Sequence, residues 1–166
     1  MRNLFEVESC VAEGFMHMSL CEFLVAKSII DALLRGGIKL IQSFSLPYRH
    51  FEMDFLENGL KSLKLEDARK IKENLENAYI LLMPESFREK HYPDMIKEQR
   101  WEKRLEQIGN KKLQIIRDQM IFYLGKLPEI LIENSKIFEY AFEEDESILV
   151  KISAATVIIN LSLIHI

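Results

Sequence analysis

The chain has 166 residues, of which 48% are hydrophobic and 29% charged, with a formal net charge of −4 and a mean hydropathy of −0.04. That composition predicts one globular domain with a core of its own, and too little chain for two generous ones. Six glycines and four prolines exclude a collagen-like, linker-rich or low-complexity polymer, and no apolar run nears the roughly 18–20 residues needed to span a bilayer.

Glu6 and Glu8 interrupt the apolar stretch that a signal peptide requires. Cys10 and Cys21 make no disulfide framework. The expected setting is cytoplasmic or otherwise intracellular, without a membrane partner.

In chain order the pattern is helical. A first helix is predicted over 4–17, interrupted by Gly14, either separate from the next or fused with it into one kinked helix. Ser19-Leu20-Cys21-Glu22 has the form of a capping box, and Leu20, Phe23, Leu24, Ile30, Leu33 and Leu34 follow at helical spacing until Gly36-Gly37 stops them. Residues 38–44 are too short to separate a strand from two helical turns. Pro47 suits a first turn with Ser45 as its cap, opening a helix that presents Phe51, Phe55 and Leu56 and ends at Asn58-Gly59.

The clearest helix covers 65–83. Leu65, Ala68, Ile71, Leu75, Ala78 and Leu82 recur at three or four residues with charges between them, and Glu66 with Lys70 forms an i,i+4 pair in the favourable order. Pro84 breaks it. A short segment, 85–92, leads to Pro93, and a long charged helix is predicted over 94–108, which Gly109-Asn110 either ends or joins to the next. A further helix presents Leu113, Ile116, Met120 and Leu124. Two more are expected over 128–143 and 146–160. The last is rich in β-branched residues, which keeps a strand open as an alternative, but Ala154-Ala155 and the lack of strict alternation favour helix.

The catalytic inventory is thin. There is no Walker phosphate loop, Gly36-Gly37 lacks the third glycine of a dinucleotide fingerprint, no nucleophile elbow occurs, and neither cysteine has a C-x-x-C partner. No catalytic, cofactor-binding or metal-ligating residue is assigned, and no cofactor is implied. Two stripes have metal-compatible spacing: Glu13, His17 and Cys21, and His50, Asp54 and Glu57. Both read better as ordinary polar or half-buried helix faces, because neither carries an E-x-x-H or H-E-x-x-H pair.

The segment from Arg88 to Arg117 is the most basic. If it is helical, Lys97, Arg100, Trp101, Arg104, Ile108 and Lys111 share roughly one face, and cations around an indole contact phosphates and stack on a base. Glu89, Asp94, Glu98, Glu102, Glu106 and Asp118 alternate with them, the pattern of a solvated, salt-bridged helix. Glu139, Glu143, Glu144, Asp145 and Glu146 read as a polar loop whose acids sit near the N-terminus of the last helix.

The stretch EDESILVKISAATVIIN over 144–160 resembles the second half of an armadillo or HEAT repeat, and LLRGGIKLI over 33–41 resembles the glycine turn of an armadillo repeat. The resemblance implies an α-solenoid. The middle helices keep no armadillo-length period, so no family is named from it. Residues 161–166, LSLIHI, can be encoded as CTG TCT CTT ATA CAC ATC, which resembles the transposase end sequence used as a sequencing-library adapter. On that reading 1–160 is a single helical domain truncated at its C-terminus, 161–166 is a tail set apart from functional reasoning, and the face of Ile148, Ile152, Ala155 and Ile159 is left partly uncovered.

The expected fold is all-α: six to eight amphipathic helices in a compact bundle or a short α-solenoid-like array. The expected function is a helical interaction or scaffold module binding an unidentified protein partner. The alternatives are a nucleic-acid-binding protein using Lys97, Arg100, Trp101, Arg104 and Lys111, or a fragment of a larger enzyme.

Overall fold

The computed structural model describes residues 18–44, 53–93, 108–133 and 135–164. Among the described residues the secondary structure is helical throughout: α1 Met18–Arg35, α2 Gly37–Phe44, α3 Met53–Lys61, α4 Leu65–Leu82, α5 Glu85–His91, α6 Asn110–Leu124, α7 Glu129–Ile132, α8 Ile137–Glu143 and α9 Ile148–Ile164. The helix count among the described residues is therefore slightly above the range expected. The predicted helices at 4–17 and 94–108 lie outside the described residues.

Helix α1 runs through the expected capping box, with Ser19 and Glu22 inside it. A four-residue motif is a weak local signal, and adding helical residues to an existing nucleus is favoured. The predicted stop holds. Gly36 and Gly37 take φ of 63° and 69°, a left-handed conformation that costs other residues about 1–2 kcal/mol. The carbonyls that α1 leaves without an intrahelical partner are met from α4: Asn74 Nδ2 donates to the oxygens of Leu33 at 2.8 Å and Leu34 at 3.2 Å. A Cβ on Gly36 would lie 2.5 Å from Asn74 Oδ1. Gly36→Ala thus meets both the wrong backbone region and the side chain that caps α1. A loss of about 2 kcal/mol or more is expected in urea unfolding, and a change below about 0.5 kcal/mol would show that this turn relaxes freely.

Residues 38–44 resolve as helix. Leu40, Ile41 and Phe44 are buried while Gln42 is exposed, a helical period that a strand's strict alternation cannot give. Phe44 stacks on Tyr123 of α6, ring centroids 5.3 Å apart. Helix α3 overruns the expected end at Asn58-Gly59 by two residues. Leu60 is wholly buried, and Gly59 is where Ile30 of α1 comes close, since a Cβ there would meet Ile30 Cδ1 at 2.5 Å. Tertiary contact uses this glycine for close approach and not for termination.

Helix α4 is central and packs against α1, α2, α6 and α7. Ala68, Ile71, Leu75, Ala78 and Leu82 are buried as the period predicts, together with Tyr79 and Ile80. Leu65 shares the period but is 44% exposed, because it sits on the first turn, at the end of that packing. The i,i+4 pair formed in this helix is Lys72–Glu76 at 3.0 Å. Pro84 ends the run and stands at the N-cap of α5.

The single helix expected over 128–143 is two, α7 and α8. Between them the Ser135 hydroxyl donates to the Glu76 carboxylate of α4. The partner lies 59 residues away in sequence, so no local pattern encodes this contact. Helix α9 is helical as favoured, and includes residues 161–164. It packs on α6 and α8. Buried side chains from all of these helices form one core.

Candidate functional site

Few of the sequence candidates come together. Glu13, His17 and His50 lie outside the described residues, as do Lys97, Arg100, Trp101 and Arg104. Cys21 and Asp54 lie on α1 and α3. Glu57 is engaged by lysines, its Oε1 2.6 Å from Lys126 Nζ and its Oε2 4.0 Å from Lys61 Nζ. Among the described residues no group of three or more His, Cys, Asp and Glu side chains is placed to hold a metal ion, and no described helix is long and apolar enough to cross a membrane.

Lys111 is exposed on the first turn of α6, next to exposed Lys112. Three other members of the basic segment are used inside the fold. Arg88 donates to the Leu81 carbonyl at 3.3 Å, Lys90 pairs with Glu144 at 3.0 Å, and Arg117 is buried.

The polar centre of the molecule was not legible as such. Arg117 belongs by sequence to the basic segment and Asp145 to a polar, acidic loop, yet both are buried, at 4% and 1% exposure. The guanidinium grips the carboxylate through two bonds, Nε to Oδ2 at 2.8 Å and Nη2 to Oδ1 at 3.0 Å. Tyr79 of α4 donates its hydroxyl to Oδ2 at 2.8 Å, and the Ser147 amide donates to Oδ1 at 2.8 Å. Burial, reinforced by the neighbouring carboxylate, holds the Tyr79 phenol far above its ordinary value, so it acts here as a proton donor throughout the working range. The one available signal was Asp145-Glu146-Ser147 before an apolar run, an Asx-turn sequence. The network fixes the entry of α9 against α4 and α6. Further along α9, Ser153 Oγ donates to Asp118 at 2.6 Å.

A second tie joins α5 to the end of α8. The rings of Phe87 and His91 lie 5.6 Å and 4.6 Å from that of Tyr140. Glu144 Oε1 meets Lys90 Nζ at 3.0 Å and His91 Nε2 at 2.8 Å. The Lys90 hydrogen bond, with His91 adding to it, holds the Glu144 carboxyl below its usual range against the opposing effect of burial. A depressed folded value means that the tie stabilises above the unfolded carboxylate value and is lost as pH falls through the folded one. Thermal melting should therefore become less pH-sensitive on the acid side in Glu144→Gln than in the natural chain. Superimposable pH profiles would remove this role from Glu144.

On this pinned base α9 presents a bare aliphatic face. Val150, Ala154 and Val157 point into the core. On the opposite side Ile148, Ile152, Ile159 and Leu163 are exposed by 68%, 57%, 58% and 63%, with half-buried Ala155 and exposed Thr156 between them. At 100° per residue these six positions fall on one stripe. Lys151 is the helix's one charged residue, and its Nζ donates to the Glu143 carbonyl at 3.0 Å. Contiguous exposed apolar patches mark interaction surfaces. No family model, curated protein or solved structure matches the chain, so the geometry of this face carries the functional reading.

Proposed function

We propose that the chain is a helical interaction module, a scaffold whose outer α9 face engages a protein partner, in an intracellular setting suited to its two cysteines. The observation that supports this reading is the uncovered aliphatic stripe of Ile148, Ile152 and Ile159. Its base is stiff, because the buried Arg117–Asp145 pair fixes the first turn, and a rigid surface loses little conformational entropy on docking. An aliphatic, uncharged face suits the apolar side of a helix better than it suits a phosphate backbone, which requires cations.

A photoreactive side chain placed at Thr156 tests the reading. In an extract of the source cells it should form adducts with protein, whereas one at exposed Glu133 on the far end of α7 should not. Adducts with nucleic acid, or none from Thr156, would overturn it.

A further inference from the structure

We draw no further inference here: the strongest candidate, the exposed aliphatic face of α9 around Ile148, Ile152 and Ile159, belongs to the interaction surface already described, and nothing in the structure shows what covers it.

Discussion

Asp145→Ala is expected to destabilise the fold by about 3–5 kcal/mol, as for removal of one partner from a buried ion pair. The carboxylate is fully enclosed and Arg117 nearly so. Taking the carboxylate away leaves the guanidinium Nε and Nη2 without their acceptors, with Nη1 still near the Leu82 carbonyl at 3.4 Å. The Tyr79 hydroxyl and the Ser147 amide lose their acceptor too. An uncompensated buried cation dominates that sum, since each neutral orphan costs about 1–3 kcal/mol at most. Replacing both charges, Arg117→Met with Asp145→Leu, should recover much of the loss, because desolvating the pair offsets most of its attraction. Urea denaturation of the three variants checks this. A loss near zero in Asp145→Ala would mean that water reaches Arg117.

Leu75→Ala is expected to cost about 2–5 kcal/mol, the range for large-to-small changes in a packed core. Leu75 is wholly buried, in the third turn of a helix that four others pack against. Ile71, one turn earlier on the same helix face, is wholly buried as well, so the site lies well inside the packed core. Leu65→Ala, on the same stripe but 44% exposed, should change stability by less than about 1 kcal/mol. The contrast tests the helix phase. Equal losses at the two positions, or a loss below about 0.5 kcal/mol at Leu75, would show that the buried face is drawn wrongly.

Local periodicity carried much of the fold. Ile71, Leu75 and Leu82 on α4, and Ile116, Met120 and Leu124 on α6, are buried as their spacing requires, because a helix turns every 3.6 residues whatever surrounds it. The stop at Gly36-Gly37 was legible for the same reason: a left-handed residue is a local property of the backbone. Residues 38–44 were ambiguous because seven residues fit either period, and burial of Leu40, Ile41 and Phe44 settled them.

What needed tertiary structure was every feature joining distant residues. Arg117 and Asp145 are 28 apart in sequence, and their charges read as surface charges until burial makes them partners. Ser135, between α7 and α8, is tied to Glu76 on α4 by a hydrogen bond to a residue 59 positions away in sequence. The last helix shows both sides of this division. Its sequence, mostly aliphatic with Lys151 as its one charge, determined that large apolar side chains lie on more than one side of it. Which half meets α6 and α8 and which half stays exposed is a matter of tertiary packing, with the anchor at Asp145 fixing the entry of a helix that has no continuous charged side to turn towards water.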